Sequence, residues 1–144
     1  MKLTLIAAAA LAMASTAIAG KPPIFAQPHA VGTLTTPMTL KVKPGAMVLD
    51  TITIQPGGNF GWHTHSSPVA VIVTSGTLTV FDPSVGGCAP FKVSKGQAFI
   101  EPADHVHLAR NDTTKVVKLY AMYLGLPAGT SPNNPSTQPN GCSA

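Results

Sequence analysis

At 144 residues the chain is long enough to bury one core and too short to build two. Its formal charge of +4 is carried by lysines scattered along the body (Lys41, Lys43, Lys92, Lys95, Lys115, Lys118), which argues against a nucleic-acid-binding patch. Only 10% of residues are charged, so solubility rests on Ser, Thr, Asn and Gly.

Residues 1–19 read as a secretory signal peptide. Met1-Lys2 is a short basic start, Leu3 to Met13 is apolar and alanine-rich, and Ala17-Ile18-Ala19 before Gly20 is a small-x-small cleavage site. The apolar run is too short to span a bilayer comfortably, and no cysteine follows the cleavage site to anchor a lipid. Cleavage after Ala19 predicts a secreted or periplasmic protein with no membrane anchor, its mature chain carrying eight basic against five acidic residues.

Residues 20–37 are polar and interrupted by prolines, which predicts an extended arm; His29 falls there and reads as a surface residue. From Met38 the pattern changes to short β-rich runs punctuated by Gly and Pro. The expected strands are Thr39 to Lys43, Met47 to Gln55, Val69 to Thr74, Thr77 to Phe81, Phe91 to Val93, Gln97 to Glu101, His105 to Arg110 and Val116 to Leu124. Turn signals separate them, and no helical period is convincing. Such spacing predicts an all-β domain over residues 38–124, an antiparallel sandwich or barrel.

The tail, residues 125–144, is rich in Pro, Asn and Ser and cannot bury enough surface to fold by itself. It ends near Cys142, and the other cysteine, Cys88, lies in the loop GGCAP. In an oxidising compartment the two are expected to pair, closing a loop worth roughly 4 kcal/mol and pinning the tail to the body. A free thiol and a cysteine metal ligand remain open as alternatives.

Chemistry gathers in two stretches. Gly57 to Gly76 (GGNFGWHTHSSPVAVIVTSG) holds His63 and His65 one residue apart, and residues i and i+2 of a strand share a face, so two imidazoles at that spacing can converge on one ion. Gly96 to Asn111 (GQAFIEPADHVHLARN) offers further histidines after a proline turn. These stretches resemble the paired motifs of the cupin superfamily, G(X)5HXH(X)3-4E(X)6G and G(X)5PXG(X)2H(X)3N. Gly57, His63, His65 and Gly76 match the first; Gly96, Pro102, His107 and Asn111 match the second.

The resemblance implies a single-domain cupin jelly-roll β-barrel in which His63, His65 and His107 hold one divalent transition metal: Fe, Cu, Zn, Ni or Mn. Two positions depart from the motifs. Val69 stands where the first requires glutamate, and Asp104 where the second requires glycine, although Asp tolerates turn conformations. Three neutral imidazoles without that carboxylate are similar to the three-histidine sites of thiol and diketone-cleaving dioxygenases.

His105 and Glu101 are candidates to stand behind the ligands, with His105 also a candidate fourth ligand and Glu101 also a candidate for proton transfer. A barrel-mouth position for His105 and a solvent-facing strand end for Glu101 are the plainer readings. Phe60, Trp62 and Tyr123 are candidates for a pocket wall; counting from Lys118 places Tyr123 inward and Tyr120 outward. Asn111-Asp112-Thr113 forms a glycosylation sequon, read as coincidental because Asn111 belongs to the second motif.

The reading is an exported cupin with one divalent metal, acting as an oxygenase, isomerase or lyase on a small polar substrate. The alternative is a non-catalytic extracytoplasmic protein that binds a metal or small ligand. A small molecule is the expected partner, nucleic acid is not, and a homodimer is implied by the resemblance alone.

Overall fold

A computed structural model describes residues 26–144; the signal-peptide reading of residues 1–19 lies outside the described residues. Ten strands follow in order: β1 Thr33–Leu34, β2 Ala46–Ile54, β3 Asn59–Thr64, β4 Val69–Ser75, β5 Thr77–Phe81, β6 Phe91–Ser94, β7 Gln97–Glu101, β8 His107–Arg110, β9 Val117–Leu126 and β10 Asn134–Pro135.

Alternation along these strands sets the layers. In β4 every second residue (Val69, Val71, Val73) is buried, and in β9 Val117, Leu119, Ala121 and Tyr123 are buried while Lys118 is exposed. A period of two places one apolar row on one face of each strand, and each such valine contributes roughly 1.5–3 kcal/mol when fully withdrawn from water. Those rows meet Leu78, Val80, Val93 and Ala109 in a common core.

Two five-stranded sheets result, in the orders β1-β7-β4-β9-β2 and β10-β3-β8-β5-β6. They form an all-β jelly roll, and among the described residues their ladders remain separate rather than closing into one barrel. Every pairing is antiparallel except β1 on β7.

Between β4 and β5 the chain turns at Gly76, whose φ is +74°, and a Cβ there would lie 2.7 Å from the Val116 carbonyl oxygen. Only glycine suits both demands.

Three expectations need correction. Thr39 to Lys43 is not a strand; that segment runs as irregular backbone before β2. Asn59–Thr64, absent from the expected strands because glycines crowd it, is β3 and carries a histidine. The proline-rich ends each supply a two-residue strand, β1 and β10, to a sheet edge.

Candidate metal centre

β3 and β8 lie side by side, and their register sets His63 directly opposite His107. His65 follows the end of β3 by one residue, so both motif-one imidazoles reach the same side. The rings pack with centroids 4.4 Å apart for His63 and His107, and 4.9 Å apart for each pairing with His65. One ring nitrogen from each lies within 4.8 Å of the others, and all three residues are buried. Two neighbouring imidazoles and a third distant in sequence thus meet at one point where a metal ion could be held.

Each ring is oriented by the backbone. Nδ1 of His63 lies 2.9 Å from the Gly61 carbonyl, Nδ1 of His107 lies 3.0 Å from that of His105, and Nδ1 of His65 lies 2.7 Å from that of Pro132. A carbonyl oxygen only accepts, so Nδ1 carries a proton in all three rings and Nε2 is the nitrogen left to meet an ion or another group.

Glu101, at the end of β7, is buried beneath them. Its Oε2 is 3.1 Å from Nε2 of His65 and its Oε1 is 3.3 Å from Nε2 of His107. Burial alone would raise its pKa, but the contacts with His107 and His65 overcome that and pull it down to about 2. Burial opposes protonation of His107 too, and there the Glu101 carboxylate wins and raises the pKa. His63 goes the other way, lowered by burial.

Tyr123 faces inward, its ring 5.5 Å from that of His65 in a T-shaped contact. Burial, helped by the negative charges of Asp50 and Glu101, pushes its phenol up to about 12, so it remains a hydrogen-bond donor. Beside the histidines lies a cavity of about 30 Å³, near one water molecule's share of liquid volume, with Phe60, Tyr123, Glu101 and Asn133 in its wall.

Trp62 is not in that wall. It adjoins His63 in β3 and so takes the opposite face, where it packs against Phe81, Leu108 and the cysteine pair. His105 is also corrected: it precedes β8, strand alternation does not reach it, and its exposed side chain stays outside the cluster while its carbonyl orients His107. His29, in the arm, bonds Tyr120 at 2.7 Å on the outer face of the other sheet.

Asp104 adopts φ +63°, the left-handed conformation of the glycine it replaces, and its N–H donates to the His65 carbonyl at 2.8 Å. Asn111 donates both amide hydrogens, to the Ile54 and Lys115 carbonyls. The sequon asparagine is therefore occupied inside the fold.

Sequence reading missed the tail's part in the site. Cys88 and Cys142 form a disulfide, and β10 pairs with β3 so that Pro135 stands opposite His63. Asn134 donates to Ser66 Oγ at 3.0 Å, and the Ser136 N–H to the Trp62 carbonyl at 2.8 Å. The tail thus runs along the histidine strand and supplies the carbonyl that orients His65.

A family model described as the cupin domain matches residues 50–123, just over half of the chain. The chain is a cupin. Solved structures share its fold. The polyketide cyclase RemF from Streptomyces resistomycificus is 17% identical, with a TM-score of 0.54 over 67% of this cupin and 64% of the cyclase. The DMSP lyase DddQ from Ruegeria pomeroyi is 15% identical, with a TM-score of 0.51 over 59% and 41%. An uncharacterized conserved protein with a double-stranded β-helix domain from Klebsiella pneumoniae is 19% identical, with a TM-score of 0.50 over 76% and 95%.

The cupin spans less than two thirds of the length of either enzyme, and at these identities the likeness concerns the fold. No curated protein matches it by sequence.

Proposed function

We propose that this protein is an exported cupin that holds one divalent transition metal through His63, His65 and His107 and acts on a small polar molecule beside it. The chemistry falls within the lyase, isomerase or oxygenase classes. The observation that carries the reading is the common orientation of the rings, each with Nδ1 committed to a backbone carbonyl, which makes Nε2 the nitrogen available to an ion.

The residues fit a metal. Nε2 of His107 is buried with no hydrogen-bond partner, and a set of imidazole donors suits Fe, Cu, Zn, Ni or Mn. When bound, such an ion supplies Lewis-acid polarisation and, if it is redox-active, electron transfer. The chain's own groups do the rest: the Tyr123 hydroxyl stays protonated to donate to a ligand oxygen, and Phe60 helps keep bulk water away. The same fold carries a polyketide cyclase and a DMSP lyase, which supports turnover on this scaffold without specifying the reaction. Export is supported by the disulfide, a bond that persists in oxidising compartments. Among the described residues no helix is long and apolar enough to cross a membrane.

A second reading, a non-catalytic metal- or small-ligand-binding protein, is favoured by one observation: the cavity at the histidines has room for about one water. Metal analysis of the purified chain and of the His63→Ala, His65→Ala and His107→Ala variants tests the shared part of both. The expected result is one metal per chain, lost in each variant without loss of β-structure. Turnover assays on the loaded protein, with oxygen uptake on thiols and diones and elimination or isomerisation of small oxygenated substrates, then separate enzyme from binder.

A further inference from the structure

The carboxylate missing from motif one has a replacement on the neighbouring strand. Val69 is fully buried on β4, and the ladders set it opposite Glu101 of β7 on one side and Tyr123 of β9 on the other. Directly opposed residues share a face, with Cβ atoms about 4.5–5.5 Å apart, so Glu101, Val69 and Tyr123 form one row beneath the histidines. A glutamate side chain is long enough to cover that offset, and Glu101 reaches Nε2 of both His65 and His107.

Those two contacts call for positive charge between the groups, which a bound ion would supply and which ring protons supply without one. With Nδ1–H given to a carbonyl, Nε2 of a neutral ring presents a lone pair, and an ionised carboxylate oxygen presents nothing else. Lone pair facing lone pair repels unless positive charge lies between them. Nε2 of His107 is buried with no hydrogen-bond partner, although the carboxylate is 3.3 Å away. Two atoms bound to one ion at about 2.1 Å stand about 3.0 Å apart at adjacent octahedral corners and about 3.4 Å apart at tetrahedral ones. The observed 3.1 Å from Oε2 to His65 and 3.3 Å from Oε1 to His107 lie in that interval, one carboxylate oxygen facing each ring. A dication among neutral imidazoles alone would also keep its whole charge in a buried site, which is costly.

We infer that Glu101 is the fourth metal ligand, delivered by β7 in place of the motif-one residue on β4, so that the centre has three imidazoles and one carboxylate. The inference rests on the three-histidine reading above.

Zinc affinity, measured by competition with a chromophoric chelator, tests that parent reading. Absence of zinc uptake by the full chain, or histidine variants that all bind like the parent, would remove both. Once uptake is established, Glu101 is tested separately, because it is the chain's single glutamate and a carboxylate carbon-13 label introduced as glutamate reports it alone. The infrared difference spectrum on adding zinc is expected to move the labelled carboxylate stretches from their free-ion to their metal-bound positions; unmoved stretches overturn the inference. Glu101→Gln is expected to weaken zinc binding at least about tenfold, and unchanged affinity counts equally against it. The labelled measurement uses the unmodified chain, so a variant that fails to fold leaves the test intact.

Discussion

Asn111 holds the two motifs together. Besides its two donated bonds, its Oδ1 accepts from the Thr113 N–H at 3.0 Å and the Thr113 hydroxyl at 2.7 Å, while its own backbone exchanges bonds with Gly57 and Gly58. Asn111→Ala would take the amide donor from the Ile54 carbonyl inside the fold, whereas the Lys115 carbonyl keeps the Thr113 hydroxyl at 3.0 Å. The expected cost is roughly 1–3 kcal/mol in urea unfolding, with zinc affinity reduced because the turn after β8 loses the side chain that ties it to the end of β2.

Acid sensitivity of the metal-free protein also belongs to single residues. Glu101 is held below its ordinary 4.5, so its stabilisation is complete above that value and disappears as pH falls through about 2. His63 is kept neutral by burial below its ordinary 6.5, and acid that protonates it in the unfolded chain adds loss in the same direction. His107 is raised, so its contribution is complete below 6.5 and is lost as pH climbs through its folded value. Urea midpoints of the apo protein should therefore fall steadily from pH 6 to 3, and Glu101→Gln should flatten the limb below pH 4.5.

At the scale of elements, the tail behaves as a strap. Its composition could not support a fold, yet β10 augments the sheet at β3 and the disulfide ties its end to the loop after β5. Closing a loop with a sequence separation of 54 restricts the unfolded chain by about 4 kcal/mol on the loop-entropy account. Reduction, or Cys142→Ser, should lower stability by up to that amount. It should also loosen the Pro132 carbonyl from Nδ1 of His65 and weaken zinc binding by about tenfold. A variant that loses stability but binds zinc as before would separate the strap from the site.

β3 explains why the element reading was incomplete. Its sequence, NFGWHT, contains a glycine and lies just after a Pro-Gly-Gly turn, so strand propensity is weak. Pairing with β8 on one side and β10 on the other makes it a strand.

Over the whole molecule, a metal that binds the folded chain alone must stabilise it. At a free concentration a hundredfold above the dissociation constant the gain is about 2.7 kcal/mol. Zinc should raise the unfolding temperature by several degrees, a chelator should reverse the shift, and the His63→Ala variant should show none.

Fold class was legible from residue order, because apolar alternation and Gly or Pro turns are local signals and the two motifs have fixed internal spacing. The pairing of His63 with His65 followed from strand spacing, and the addition of His107 followed from the resemblance to the cupin motifs. Glu101 was a candidate to stand behind the histidines, but residue order could not choose between that and a solvent-facing strand end. Whether its side chain met solvent or imidazole depended on which strand lay beside β4, and the ladders alone settle that by setting Glu101 opposite Val69. For a related reason residue order left Trp62 and His105 open: Trp62 lies on the far face of β3 and His105 outside any strand. Local sequence determined what each residue could do; tertiary pairing decided which groups share a site, because that depends on contacts between segments far apart in the chain.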